Sequence, residues 1–230
     1  MYLESYGNET QIFAKSGQYK AFNLVPRAIS VKDRDNLFEL VYPVAQSAFG
    51  QSHSEMFAND VKAHALDHSE ILVVQDANRK TIAFRIWDIF TEYKKPIIYL
   101  AGMCVSVEYQ KGGLGQAMIQ KAIDLVSQSH PDWGYVALRT QNWAMQKSIE
   151  TIAKQSGVYQ KFGDQNIDID IQGAAKVVAE RNHDIYFNQE NLVSRRIYGS
   201  CLYGTSKNFQ DGFLGLNVDE GDAAYCVWRR

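Results

Sequence analysis

The sequence predicts an α/β fold, a mixed sheet flanked by helices, and three observations carry that prediction. Strand-like and helix-like segments follow one another in the order β-α-α-β-β-β-α-β-α-β. One segment, Ile97–Val107, is apolar on both faces, as a central strand covered on each side must be. A glycine-rich turn, Gln110-Lys111-Gly112-Gly113-Leu114-Gly115, then opens a helix-patterned run over Leu114–Gln128.

Residues 1–18 are polar and contain glycine, and they read as an N-terminal arm or an edge strand ahead of one domain over 19–230. Tyr19–Val25 reads as a strand ending at Pro26. Ser30 is placed as a helix N-cap, with Asp33 favoured by the helix dipole. Leu37, Leu40, Val41, Val44, Ala45 and Ala48 then recur at spacings of three and four, the stripe of an amphipathic helix. Pro43 inside that stripe predicts a kink or break. A second helix is expected over Glu55–Leu66. Ile71–Gln75 and Thr81–Phe90 form a hairpin across Asp76-Ala77-Asn78-Arg79-Lys80, with Ile82, Phe84 and Ile86 on one face and Arg85 and Trp87 on the other. Leu114, Met118, Ala122 and Leu125 stripe the helix after the glycine turn. Tyr135–Thr140 is strand-like, Trp143–Gln155 helix-like, and Gly157 marks a stop before a strand over Val158–Phe162. Beyond Phe162 the pattern weakens, and 166–222 reads as a C-terminal elaboration. Asn166–Ile171 alternates, Gly173–Glu180 suits a short helix, and Ala223–Trp228 suits a final strand closing the sheet.

Composition bounds the function. The chain has 230 residues, 46% hydrophobic and 22% charged, with a net charge of −2. That balance argues against a nucleic-acid binder, and no apolar run approaches the roughly 18 residues of a membrane span. The polar N-terminus lacks a signal-peptide pattern, and Cys104, Cys201 and Cys226 suit free thiols in a reducing compartment, so a cytoplasmic location is expected. Oligomeric state is not legible.

Strand, bare-backbone turn and helix N-terminus together make an anion site, since main-chain N–H groups approach the ligand and the dipole favours negative charge. Three glycine-rich patterns compete for it. The dinucleotide fingerprint fails because Gln110 stands where its first glycine belongs and the next strand ends in Arg139-Thr140-Gln141-Asn142. The P-loop fails because Gly115-Gln116-Ala117 lacks Gly-Lys-Ser/Thr. The pattern Gln/Arg-x-x-Gly-x-Gly/Ala is met at every fixed position by Gln110, Gly113 and Gly115.

On those residues and on the strand, Asn142 and helix that follow, the chain resembles the GCN5-related N-acetyltransferase (GNAT) family. Element order carries the resemblance over about 20–165, and motif over 97–155. The resemblance implies a mostly antiparallel central sheet and the acyl-CoA N-acyltransferase fold. It implies acetyl-CoA as co-substrate and transfer of the acetyl group to a primary amine of a small-molecule or peptide acceptor. Main-chain groups of Met103 and Val105 would pair with the pantetheine arm. Gln110 and the N–H groups of Lys111, Gly113, Leu114, Gly115 and Gln116 would form the pyrophosphate cradle. Asn142 would sit near the thioester, and Lys111 and Lys147 can neutralise phosphate charge. An N–H of the strand, that of Val105, would stabilise the oxyanion.

The chemistry departs from the family at one place. Many members carry a tyrosine seven residues after the equivalent of Asn142 to protonate the departing thiolate, and here that position is Ile149. Ser148 is the candidate donor, with Tyr159 more remote. Asp88 and Glu92 are the candidate bases, with a water chain as the alternative. Hence a second reading stands beside the first, a non-catalytic acyl-CoA-binding or regulatory module; a third makes the segment from Asn166 onward a partner surface. His64 and His68 have metal-ligand spacing but lack a third ligand, so no metal is expected. Cys104 reads as a small buried apolar side chain, Trp87, Trp133 and Trp143 as core or pocket wall, and Arg195-Arg196 as a possible acidic-partner surface.

Overall fold

The computed structural model describes residues 3–50, 55–154, 157–161, 164–198 and 216–230. Its chain divides into two compact units, Met1–Asp88 with Leu100–Leu125, and Ile89–Tyr99 with Val126–Arg230. Gln155, Phe162 and Cys201 lie outside the described residues.

The first unit holds β1 (Asn8–Ala14), β2 (Gly17–Leu24), β3 (Glu70–Gln75), β4 (Thr81–Phe90) as far as Asp88, and β5 (Ile97–Val105) from Leu100, neighbours in that order. The N-terminal segment is thus an edge strand from Asn8, paired antiparallel with β2 through Ala14↔Gly17. Helices α1 (Val31–Phe49) and α2 (Glu55–Asp67) pack Leu37, Val41, Val44, Val61 and Ala65 onto Ile71, Val73, Phe84, Ile86 and Cys104. Ser30 caps α1, its side chain accepting from the Asp33 N–H.

α1 runs through Pro43 without a break. Proline removes one ladder hydrogen bond and costs about 3 kcal/mol. Leu37, Val41, Val44 and Ala45, on both sides of it, are at most 2% exposed. Burying side chains of this kind contributes about 1.5–3 kcal/mol each for the larger ones, so packing outweighs the lost bond. The β3–β4 hairpin is as the pattern predicts, and Asp76 closes its turn by accepting from the N–H groups of Asn78 and Lys80, both at 2.9 Å.

Strand β5 departs from the expectation at its far end. It stops at Val105, and Val107 lies in a short helical turn, Val107–Tyr109, at 60% exposure. Ala101, Gly102, Met103 and Val105 are half-buried, so only the first half of the strand is covered on both faces. Helix α3 (Leu114–Ser129) buries Leu114, Met118, Ile119, Ala122 and Ile123.

In the second unit β5 pairs in parallel with β6 (Tyr135–Thr140) over Ile97–Tyr99, and every other ladder of this unit is antiparallel among the described residues. After α4 (Trp143–Ala153) come β7 (Val158–Lys161), α5 (Ile169–Arg181), β8 (Phe187–Asn188), β9 (Val193–Ser194) and β10 (Ala223–Arg229). α5 begins earlier than the composition suggests, because the Asp168 side chain accepts from the N–H groups of Asp170 and Ile171 and caps it there. β10 does not close the sheet at an edge. It pairs with β6 on one side and with β7 and β9 on the other. Alternation in a sequence identifies the faces of a strand and is silent about its edges.

A buried polar network ties the C-terminal segments to β6. Asp184, with no exposed side chain, accepts from Arg139 Nη1 at 3.3 Å, the Ser194 hydroxyl at 2.6 Å and the Tyr225 hydroxyl at 2.8 Å. Arg139 Nε also donates to the Tyr198 hydroxyl at 3.1 Å. Asp222 receives Arg195, the Arg196 N–H at 2.9 Å and the Asn217 N–H at 3.0 Å, and Arg196 pairs with Glu220 at 3.0 Å. Arg195 and Arg196 therefore pair with the chain's own acids.

Burial alone would raise the Asp222 carboxyl, but those donors outweigh it and hold it below the ordinary value. The unfolded chain then binds more protons than the folded chain as pH falls, so the stabilisation is full above about pH 4 and is lost as pH drops through the folded-state value. The melting temperature is expected to fall on acidification below about pH 4. Asp222→Asn should make that fall shallower; an unchanged slope would contradict the assignment.

Candidate functional site

The site is built on the turn between β5 and α3. Gln110 explains its own place in the motif: its side-chain Nε2 donates to the Val105 carbonyl at 2.9 Å and closes the turn onto the end of the strand. Lys111 and Gly113 both have left-handed backbone, φ 64° and 81°. Gly113 is the residue type that bears this at least cost. Alternation of this kind turns successive N–H groups toward one concavity, an arrangement suited to anions. The first hydrogen bond of α3 runs from the Ala117 N–H to the Gly113 carbonyl at 3.1 Å. By helix geometry the N–H groups of Leu114, Gly115 and Gln116 then have no acceptor within the helix. A Cβ on Gly115 would lie 2.9 Å from Cε of Met103, so glycine here lets the helix start against the strand.

The sequence reading missed one neighbour of this turn. The β1–β2 hairpin lies over it, with the Ser16 N–H donating to the Gly112 carbonyl at 3.1 Å, and a Cβ on Gly113 would meet Cγ of Lys15 at 3.5 Å. Lys15 thus joins Lys111 beside the glycines. No local signal marks this contact, because it depends on a hairpin about a hundred residues earlier in a stretch whose composition reads as polar arm.

The remaining candidates sit as follows. Met103, half-buried on β5, and Val105, whose carbonyl takes Gln110, belong with the turn in the first unit. Asn142 belongs to the second unit, where its side chain caps α4 by accepting from the Ala144 N–H at 2.8 Å and the Met145 N–H at 3.3 Å. Ser148 donates its hydroxyl to the Ala144 carbonyl at 2.9 Å, one helical turn back. Ile149, at 1% exposure, is part of the α4 core. Burial pushes the Tyr159 phenol far up, which disfavours it as a proton donor. Lys147 lies over the Trp143 ring at 4.7 Å, and Glu92 pairs with Arg181 at 3.1 Å. Trp87 and Trp133 are buried.

Asp88 is engaged by His68 and by Ser69, whose N–H and hydroxyl each donate at 2.7 Å. Desolvation raises the carboxyl, but these hydrogen bonds and the attraction of the His68 imidazole more than offset it and hold Asp88 below its usual range. The His64 and His68 rings lie tilted by 43° to one another with centroids 5.6 Å apart. Among the described residues no group of three or more His, Cys, Asp or Glu side chains is arranged to hold a metal ion. Cys104 and Cys226 are buried free thiols, and desolvation pushes both up, Cys226 to about 12. They are inert packing groups rather than nucleophiles. Among the described residues no helix is long and apolar enough to cross a membrane.

Over 91% of this chain and 93% of the other, the structure is similar to the ribosomal-protein-S18-alanine N-acetyltransferase from Escherichia coli, at 14% identity and a TM-score of 0.51. It is also similar, at 11% identity and a TM-score of 0.46, to the NatC complex bound to Gag peptide and CoA, over 91% of this chain and 98% of that one. A GNAT-family acetyltransferase from Listeria monocytogenes is similar at 15% identity and a TM-score of 0.42, over 68% and 95% of the two chains. At 14% identity the first of these likenesses speaks for the fold alone. A search of the curated proteins found no matching relative. The sequence profile of the Acetyltransferase (GNAT) family matches residues 35–157, more than half of the chain and all of the strand, glycine turn and helix described above. The chain belongs to the GNAT acetyltransferase family.

Proposed function

We propose that this protein transfers an acetyl group from acetyl-CoA to the primary amine of a small-molecule or peptide acceptor by direct attack. The observation that supports it most is the start of α3, where left-handed Lys111 and Gly113 precede three N–H groups without helical acceptors. Members of the family use acetyl-CoA. A pyrophosphate at this turn satisfies those N–H groups and the positive end of the dipole together. Gln110 keeps the cradle closed, Met103 and Val105 offer main-chain groups along β5 to the pantetheine, and the Val105 N–H is the proposed oxyanion donor. Asn142 is proposed near the thioester through the start of α4. The acceptor amine attacks the thioester carbonyl, and CoA leaves as its thiolate. Ser148 is the proposed proton donor to that sulfur, since its hydroxyl can turn away from Ala144 whereas the Tyr159 phenol is buried.

Calorimetric titration with acetyl-CoA tests the cofactor half, and release of free thiol over peptides, polyamines and aminoglycosides tests transfer. Absence of acetyl-CoA binding would overturn the reading. Ser148→Ala is expected to slow turnover without weakening acetyl-CoA binding. Lys15→Ala should raise the acetyl-CoA Kd by about two- to fivefold at low salt, the scale of an exposed charge contact, and by less at high salt. An unchanged Kd at low salt would remove Lys15 from the site.

Ile149 favours a second reading, because a buried aliphatic residue occupies the position where many members hold their acid. A non-catalytic acyl-CoA-binding module would bind acetyl-CoA tightly and release no thiol with any amine.

A further inference from the structure

His68 follows α2, and its imidazole Nδ1 meets Oδ2 of Asp88 on β4. The other carboxylate oxygen, Oδ1, takes both the N–H and the hydroxyl of Ser69, so three donors fix the acid in place. An ionised carboxylate facing Nδ1 selects the tautomer with its proton on that nitrogen, which leaves the lone pair on Nε2. The two side chains keep 19% and 15% exposure, so the pair is desolvated without being sealed.

Position along the strands gives this pair a use. The Ser106 N–H donates to the Ile82 carbonyl, and Gly102 faces Ile86, so β4 and β5 run antiparallel. Continuing that register by two residues brings Asp88 level with Leu100. Leu100 lies beyond Met103 and Val105 as one moves away from the glycine turn. A cofactor with its phosphates at the turn and its arm along β5 directs its acyl end toward that level. His64 lies one turn earlier with its Nδ1 on the Asp60 carbonyl at 2.9 Å, and Asp67 is tied to Arg34 at 3.4 Å. Glu70 accepts from Asn23 at 2.6 Å, and along Leu100–Val105 the titratable side chain is the buried Cys104.

We propose that His68, oriented by Asp88, is the base that takes the proton from the acceptor amine as it attacks the thioester. The amine nitrogen forms its bond to the acetyl carbon, the carbon–sulfur bond breaks, and CoA departs as thiolate. The amine proton passes to Nε2 of His68 and from there to water, so the residue ends as it began. His68 is the catalytic residue in this step and Asp88 the positioning one. The assignment rests on the acetyl-transfer reading above.

Two measurements keep the failures apart. Calorimetry with acetyl-CoA tests the cofactor reading alone. ¹⁵N spectra of the imidazole test the dyad without any acceptor: the proton is expected on Nδ1, with the Nε2 resonance shifting when acetyl-CoA is added. A proton on Nε2, or an Nε2 resonance indifferent to bound acetyl-CoA, overturns the proposal. On any amine that is acetylated, His68→Gln should lower kcat by about a hundredfold or more, leave acetyl-CoA affinity within about twofold, and remove the acidic limb of the pH profile. Asp88→Asn should lower kcat less than His68→Gln does. A kcat within about threefold of the parent in His68→Gln, or an acidic limb that survives it, likewise overturns the assignment.

Discussion

Gly113→Glu is expected to abolish acetyl-CoA binding while leaving the protein folded. The backbone at this position has φ 81°, and a side-chain-bearing residue adopts such a conformation at a cost of roughly 1–2 kcal/mol. That cost falls on stability and is tolerable in a chain of this size. The charge falls on the ligand. A carboxylate among N–H groups meant for a pyrophosphate opposes it by about 1 kcal/mol in water and about 4 kcal/mol at the dielectric of a protein surface. Each 1.4 kcal/mol is about tenfold, so affinity should drop by about a hundredfold or more. Gly113→Asn separates the two effects, since asparagine tolerates the left-handed region and adds no charge. It should retain most of the affinity. Calorimetry on all three proteins decides it, and a Gly113→Glu protein binding within about threefold of the parent would mean the phosphates lie elsewhere.

Asp184→Ala is expected to destabilise the second unit severely. Its carboxylate is fully buried and faces Arg139, whose side chain is 11% exposed, together with the hydroxyls of Ser194 and Tyr225. Removing one partner of such a pair strands the other charge, at a cost of about 3–5 kcal/mol. At about 2–4 °C per kcal/mol for a chain of this length, the melting temperature should fall by roughly 6–20 °C. Replacing both partners by apolar residues, Arg139→Met with Asp184→Leu, leaves no charge unpaired and should recover a large part of the loss. Thermal melts of the single and double variants test the coupling. A single variant that melts within about 2 °C of the parent would show that the network contributes little.

The elements of the proposed anion site were legible because they are consecutive: an apolar strand, a side chain that closes the turn, glycines and a helix start. The hairpin at Asp76–Lys80 and the cap at Ser30 were legible for the same reason. What the sequence hid was set by partners far away along the chain. Pro43 signals a break by its own chemistry, and only the packing of Val41 and Val44 on the sheet overrules it. His68 and Asp88 each carried a separate label, metal spacing for one and a candidate base for the other. Their pairing appears only when β4 is laid beside the end of α2. The tail beyond residue 162 reads as polar because its charges carry no mark of their partners, Arg195 for Asp222 within the tail and Arg139 on β6 for Asp184.

The place of β10 has a consequence for how the chain is made. Every strand and helix of the first unit precedes residue 126, so that unit has all its parts while the rest of the chain is still being synthesised. The second unit must wait: until Ala223–Arg229 has emerged, β6, β7 and β9 present open backbone edges that only that strand covers. Nascent chains halted before Ala223 should therefore show a protease-resistant first unit and a second unit held by chaperones, with protection of β6 appearing as β10 emerges. Protection of β6 before β10 exists would show that the second unit closes without it.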